Sequence, residues 1–398
     1  MPSTLSERAR LLRPSATIAT DARAKALAAS GVDVVNLTAG EPDFDTMPAA
    51  RSGGLEAIEA GFTRYTPVAG IPELRTAIAE KLLRDNGISC QPEQIVVSNG
   101  AKQSIYNALM VLVDPGDEVI MPSPCWVSYP EIVSLAGGVP VLVDTSSNGY
   151  RLSAEAVAAA VTSRTKVVML NSPSNPVGTV ATDAELRELA ALCVARDLYV
   201  ISDEIYEKLV YGSAEFVSIA SLGEEIQRLT ITVNGFSKAY AMTGWRMGYA
   251  AAEPQIVAAM TNLQSQCTSG ASSISQRAAL AALNGDQAPL ESMRQQFDRR
   301  RQLVLQRLSA MPGVVIEAVP EGAFYIFPRV SDLYERMASG NRSSGSVGFA
   351  DLLLEAARVA VVPGLPFGSD DHVRVSYASS LERLAEGMNR IESVVRSL

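Results

Sequence analysis

Between residues 95 and 234 the chain alternates short apolar runs, several rich in β-branched residues, with stretches that read as helices, without an internal repeat. IVVS (95–98) turns at Asn99-Gly100 into AKQSIYNALMVLV. EVIM (118–121), VPVLVD (139–144), KVVMLN (166–171), LYVISD (198–203) and LTITVN (229–234) follow. Strands that are apolar at successive positions need cover on both faces, and their alternation with helices predicts an α/β layer with a mostly parallel sheet. The segment 72–86 opens on Pro72 and stops at Gly87, which predicts a helix. Thr182 and Glu185 form a capping-box signature for a second helix running to about Arg196.

After about Pro289 the pattern changes. A long helical stretch to Met311 leads into strand-like segments near 314–318, 323–328, 357–362 and 372–377, mixed with helices near 348–356 and 380–397. SGNRSSGSVG (339–348) reads as a polar surface loop. A chain of 398 residues exceeds one ordinary core. We therefore expect a large domain over 48–289, its sheet sandwiched by helices, and a smaller α+β domain made of 290–398 with the N-terminal segment 1–47.

Composition narrows the function. Hydrophobic residues are 47% and charged residues 19%, a globular profile. No apolar run reaches the roughly 18 residues a membrane helix needs. The formal charge of −9 and the lack of a basic patch disfavour nucleic acid as a partner. Four cysteines without a CxxC pair suggest reduced thiols in a cytoplasmic protein. The single histidine, His372, excludes HExxH and three-His metal sites, and its place in a strand suggests a structural role. The first twenty residues lack the apolar core of a secretory signal. A transit peptide is the alternative, disfavoured by Glu7.

The familiar nucleotide and hydrolase motifs are absent: no G-x-G-x-x-G after a strand, no Walker A, no G-x-S-x-G elbow. What is present is NGFSKAYAMTGWRMG (234–248) after the strand LTITVN, VISDEIY (200–206) upstream of it, and NSPSNPVGT (171–179) upstream again. Read singly, Lys238 is a loop lysine, Asp203 a helix cap and Asn175 a turn residue. In this order and spacing the blocks resemble the fold-type-I pyridoxal phosphate enzymes of the class-I aminotransferase family. The likeness runs from RPSAT (13–17) to HVRVSYA (372–378), and the PSAT opening is similar to one bacterial type of aspartate aminotransferase.

The resemblance implies a role for each position. Pyridoxal phosphate needs a lysine to hold it covalently and an acid opposite its ring nitrogen. Those are Lys238, which also moves protons, and Asp203 at the end of a strand, where sites collect in open α/β sheets. Tyr206 and Asn175 would contact the phenolic oxygen, and Trp126 would stack on the ring. The turn at Gly100, Ala101 and Lys102 would present backbone N–H groups to the phosphate, with Arg246 as countercharge. Many relatives carry a serine three residues before the lysine. Here that position is Gly235, so Ser237 is expected to substitute in part. Tyr65 would reach the phosphate in a neighbouring subunit, which implies a homodimer with shared sites. Arg374 would grip the substrate α-carboxylate in bidentate fashion, and Gly40 would let backbone approach it. Trp126 and Asn175 also border the substrate, and Ser15, Thr17 and Lys102 would hold a distal carboxylate. The implied reaction is ping-pong transamination of aspartate with 2-oxoglutarate, its partners being amino acids and 2-oxo acids. The alternatives are an aromatic or prephenate aminotransferase, or a lyase or synthase with the same cofactor. A transcription regulator carrying such a domain would need an added DNA-binding domain.

Overall fold

The computed structural model describes residues 5–6, 9–10, 12, 16–337 and 345–398, with backbone only at 16–18. Its strands, in chain order, are β1 (Val35–Asn36), β2 (Ile95–Asn99), β3 (Glu118–Ser123), β4 (Val139–Asp144), β5 (Thr165–Asn171), β6 (Tyr199–Asp203), β7 (Thr230–Gly235), β8 (Met247–Ala251), β9 (Tyr325–Ile326), β10 (Val359–Ala360), β11 (Val362–Pro363) and β12 (Val373–Ser376).

Seven of them form one sheet in the order β2-β8-β7-β6-β5-β3-β4. All its pairings are parallel except those of β8, which runs antiparallel to β2 and β7. The central strands β6, β7 and β8 are buried almost throughout, as their apolar runs require. β4 is the exception: as an edge strand it leaves Val139 and Leu142 about half exposed. Parallel register brings Asn171 beside Asp203, and Asp203 beside Val233, at the carboxyl ends of three adjacent strands. That end of the sheet is where an open α/β layer places its site.

Local signals account for the helices that flank this sheet. Pro72–Asn86 opens with proline in its first turn and is capped by Gly87 at φ 68°, a conformation glycine adopts without strain. Asp183–Arg196 carries the full capping box: Thr182 Oγ1 accepts from the Glu185 N–H, and the Glu185 carboxylate accepts from the Thr182 N–H.

The remaining strands are short. β11, β12 and β9 make an antiparallel sheet, and β1 pairs in parallel with β10. The helices Ala288–Ser309 and Leu381–Ser397 pack with them around a core that includes Phe297, Phe324, Tyr325, Tyr377 and Leu384. Several sequence expectations are corrected here. The 314–318 run is not a strand: framed by Pro312-Gly313 and Pro320, it contributes one bridge, Val315 to Arg329. Ala323 at φ 58° cannot continue an extended strand, so β9 begins only at Tyr325. The 357–362 strand is two strands in two sheets, entered from Arg358 at φ 54°. The helix expected near 348–356 starts earlier, at Gly345, and ends in a π-helical turn, Leu353–Ala357. Of the expected loop 339–348, residues 345–348 are helical and the rest lies outside the described residues. No described helix is long and apolar enough to cross a membrane.

Candidate active site

A cavity of about 460 Å³ opens at the carboxyl end of the parallel strands. Four parts of the chain wall it: the sheet end with the turns and helices that follow it, the segment 36–41, Asp21 and Lys25 of the helix Ala16–Ala29, and the antiparallel sheet that supplies Tyr325 and Arg374. Of the residues singled out in the sequence, Gly40, Ala101, Lys102, Trp126, Asn175, Asp203, Tyr206, Ser237, Lys238, Arg246 and Arg374 line it.

Asp203 ends β6 and is buried in the cavity wall. Its carboxylate accepts from the Tyr129 hydroxyl at 2.6 Å and from the Ile205 N–H at 3.3 Å. Among the described residues no cation lies within ion-pair distance of it. Burial pushes it up to about 6, against the hydrogen bonds and the Lys238 charge that favour ionisation. Lys238 follows β7, and its ammonium donates to the Gly40 carbonyl at 2.5 Å. Burial brings it down to about 8. Tyr206 donates to or accepts from Tyr325 at 3.0 Å, and burial raises its hydroxyl well above the usual range.

The turn after β2 forms a cradle. Gly100 sits at φ 84°, and a side chain there would stand 2.7 Å from Arg246 Nη2. A Cβ on Gly248, in β8, would stand 2.2 Å from the Ala101 nitrogen. The N-terminus of the helix Ala101–Leu112 thus lies tight against β8, its first N–H groups outside the helical ladder and Arg246 beside it. Arg246 donates to the Thr243 carbonyl at 2.9 Å and has no carboxylate partner among the described residues. Ser237 is buried next to Lys238. Lys102 Nζ lies 4.7 Å over the Trp126 ring, and burial, then the Arg246 charge, lowers its basicity.

Arg374, on β12, is 2% exposed and has no carboxylate partner among the described residues. It donates to Asn175 Oδ1 at 3.1 Å and to the Thr38 carbonyl at 2.8 Å, and its Nε has no partner. The guanidinium lies 4.4 Å over the Tyr325 ring. A buried cation held only by neutral groups is costly unless an anion arrives. Lys102, Lys238, Arg246 and Arg374 outnumber Asp203 and Glu41 around the cavity, while Lys25 is paired with Asp21 at 2.7 Å. The site therefore favours anions.

These residues fit pyridoxal phosphate. A buried carboxylate without a cation suits a protonated ring nitrogen, the glycine-lined cradle with Arg246 suits a phosphate, and a lysine of lowered basicity suits an aldehyde.

Some expected residues lie elsewhere. Tyr65 is 94% exposed and does not line the cavity. Ser15 and the Thr17 side chain lie outside the described residues. His372 is buried away from the cavity, stacked on Phe327 and hydrogen-bonded with Ser369, Tyr150 and Glu317. Sequence reasoning missed Tyr129, Tyr325 and Thr38. Tyr129 stands three residues after Trp126, a spacing that could have pointed to it. Thr38 acts through a backbone carbonyl, which no side-chain pattern reveals.

The aminotransferase class I and II family matches residues 32–391. The aspartate aminotransferase of Bacillus subtilis is 45% identical over 398 residues, covering 98% of each chain. The aspartate/prephenate aminotransferase of Cereibacter sphaeroides is 45% identical and covers 99% of each. Among solved structures, aspartate aminotransferase from Thermus thermophilus with maleate superposes with a TM-score of 0.92 at 44% identity, over 98% of this chain and 100% of that one. With its fold-type-I architecture, its assembled cavity and these full-length likenesses, the chain is an enzyme that belongs to the class I and II aminotransferase family.

Proposed function

We propose that the cavity binds pyridoxal 5'-phosphate and that the enzyme transaminates aspartate with 2-oxoglutarate. The observation that carries this reading is one cavity lined by a buried carboxylate, Asp203, and a buried guanidinium, Arg374, neither of which pairs with an opposite charge among the described residues. When bound, the cofactor supplies an aldehyde that exchanges amines and a protonated ring that withdraws electrons from the substrate Cα.

The residues divide the rest of the work. Asp203, steadied by Tyr129, holds the ring nitrogen protonated. Ala101 and Lys102 offer backbone N–H groups to the phosphate, Gly100 shapes the turn while its own N–H donates to the Ser98 carbonyl at 2.8 Å, and Arg246 and Ser237 add charge and a hydroxyl. Tyr206 and Asn175 bind the phenolic oxygen, and Trp126 covers the ring. Arg374 clamps the α-carboxylate, with Gly40 leaving room for it. Lys238 Nζ, buried in the cavity, would take the proton from the substrate Cα and pass it to the aldehyde carbon of the cofactor, and the opposite half-reaction would run the same transfer in reverse. Enclosure among Tyr325, Trp126 and the 36–41 segment excludes water, so that the proton moves through Lys238.

For the distal carboxylate, Lys102 is the cation available: it faces the cavity and has no carboxylate partner among the described residues. Ser15 and Thr17 complete that pocket in this reading. The names of the Bacillus subtilis and Thermus thermophilus relatives, and the maleate bound in the latter, support a dicarboxylate substrate. The Cereibacter sphaeroides relative supports prephenate as a second amino acceptor.

We propose also that 48–289 and 1–47 with 290–398 act as two domains. What supports this is that β2–β8 all fall in the first, while β1 pairs with β10 of the other. Tyr65, exposed in one chain, would serve a partner's phosphate in a homodimer. Four unpaired cysteines support a reducing, cytoplasmic setting.

The test is a single-turnover absorbance titration of the holoenzyme with aspartate, glutamate, phenylalanine and alanine. Fast bleaching by aspartate and glutamate, reversed by 2-oxoglutarate, is expected. Bleaching by phenylalanine or alanine alone would overturn the dicarboxylate assignment.

A further inference from the structure

Behind the sheet end that carries Asp203 lies a second group of ionisable side chains, none of which lines the cavity. The turn after β6 reads Asp203-Glu204-Ile205-Tyr206-Glu207. Asp203, Ile205 and Tyr206 face the cavity, while Glu204 and Glu207 are buried on the far side against the last turns of the helix Pro72–Asn86. There the Asn86 amide donates to both carboxyl groups, to Glu204 at 3.1 Å and to Glu207 at 2.6 Å. The Lys81 ammonium, 2% exposed, donates to Asn86 Oδ1 at 2.7 Å and pairs with Glu207. Glu204, 1% exposed, also accepts from the Ser202 hydroxyl at 2.9 Å and the Ser218 hydroxyl at 2.6 Å.

Two buried carboxyl groups share the Asn86 amide, with one ammonium beside them. The Lys81 charge is taken by Glu207. Burial, with the Glu207 carboxylate added, pushes Glu204 up to about 8, so near neutral pH it is held as the acid. A cluster of this kind stabilises a fold no better than apolar packing of the same volume. What it does supply is direction, because each hydrogen bond fixes one atom of the turn.

The backbone at the start of the turn is tied to its neighbours, Asn171 donating to the Asp203 carbonyl at 3.0 Å and the Glu204 N–H to the Val233 carbonyl at 2.9 Å, but on the cavity side the two side chains have few partners. The Asp203 carboxylate has the Tyr129 hydroxyl and one N–H, and Tyr206 has the Tyr325 hydroxyl. We propose that Glu204, with Asn86 and Lys81, forms a positioning site that fixes the Asp203–Tyr206 turn from behind, so that both side chains meet the cofactor at set places. Glu204 is a positioning residue, and the proposal rests on the pyridoxal phosphate reading above. A misplacement of about an ångström at a catalytic group lowers rate by the order of a hundredfold.

The experiment compares wild type, Glu204→Gln and Glu204→Leu, each purified and stripped of cofactor. It records the melting temperature with and without pyridoxal phosphate, the cofactor Kd, and kcat and KM for aspartate. Glu204→Leu leaves three donors without an acceptor. It is expected to narrow the gap between loaded and stripped melting temperatures, to raise Kd about tenfold or more, and to lower kcat by at least as much. KM for aspartate stays within about threefold, because Arg374 is held separately by Asn175 and Thr38. Glu204→Gln keeps the shape and an acceptor for Ser202 and Ser218 but sets an amide N–H against the Asn86 amide, so its losses are expected to lie between wild type and Glu204→Leu. If Glu204→Leu yields no folded protein, Ser218→Ala, which removes one donor only, is read in the same way. Melting temperatures that fall equally with and without cofactor, with Kd and kcat unchanged, would reduce the cluster to a fold element and overturn the proposal. A wild type that gains no stability from the cofactor would overturn the cofactor reading itself, and this inference with it.

Discussion

The chemistry of this protein rests on side chains whose charges have been taken out of water without being neutralised. Among the described residues Asp203 pairs with no cation and Arg374 with no anion, and Lys238 is brought down to about 8 by burial. Burial depresses a lysine because the charged form loses hydration, so the neutral amine is reached closer to physiological pH. Only that neutral form attacks an aldehyde. The rate at which stripped protein captures pyridoxal phosphate should therefore rise about tenfold per pH unit below 8 and level off above it. Stopped-flow absorbance measures this directly. A rise that continues to pH 10 would show that the lysine keeps its ordinary basicity. In the sequence, Lys238, Asp203 and Arg374 were legible because each chemistry-bearing residue lies in a distinctive block. Tyr129 and Thr38 were not, because one supports Asp203 from a neighbouring helix and the other offers only its carbonyl.

The elements around the site differ in how plainly their sequences announce them. The helix Pro72–Asn86 and the capping box at Thr182 carry their own boundary signals, and both form where the residues dictate. β8 carried no such signal: MGYAA is short and holds no β-branched residue, and it becomes a strand by filling the gap between β2 and β7. The two-residue strands of the smaller sheets likewise depend on partners distant in sequence and on left-handed residues such as Ala323 and Arg358. The place of β8 gives a prediction. Gly248→Ala would put a methyl 2.2 Å from the Ala101 nitrogen and 2.4 Å from the Gly100 carbonyl carbon, both backbone atoms that cannot swing away. The helix N-terminus must shift, and the phosphate cradle with it. Cofactor affinity of the stripped protein should fall at least about tenfold, equivalent to about 1.4 kcal/mol. An unchanged Kd by fluorescence titration would mean that the phosphate is bound elsewhere.

Across the molecule, the cavity is assembled from parts far apart in the chain. Thr38 follows β1, Asn175 lies beyond β5 and Arg374 is on β12, yet they meet in one hydrogen-bonded group. Such assembly cannot be read from spacing alone; the likeness to a known family made it legible. Besides Gly100, the described candidate outside the cavity lining is Tyr65, at 94% exposure. If it serves a neighbouring subunit, the protein sediments as a dimer and Tyr65→Phe weakens cofactor binding by roughly tenfold. A fully active monomer would contradict this.

The account stands or falls on which lysine carries the cofactor. Borohydride reduction of the holoenzyme, followed by proteolysis and mass spectrometry, locates that lysine covalently. The account predicts one phosphopyridoxyl group per chain, on the peptide that contains Lys238. A label on Lys102 or Lys25, which also border the cavity, or no label at all, would contradict it.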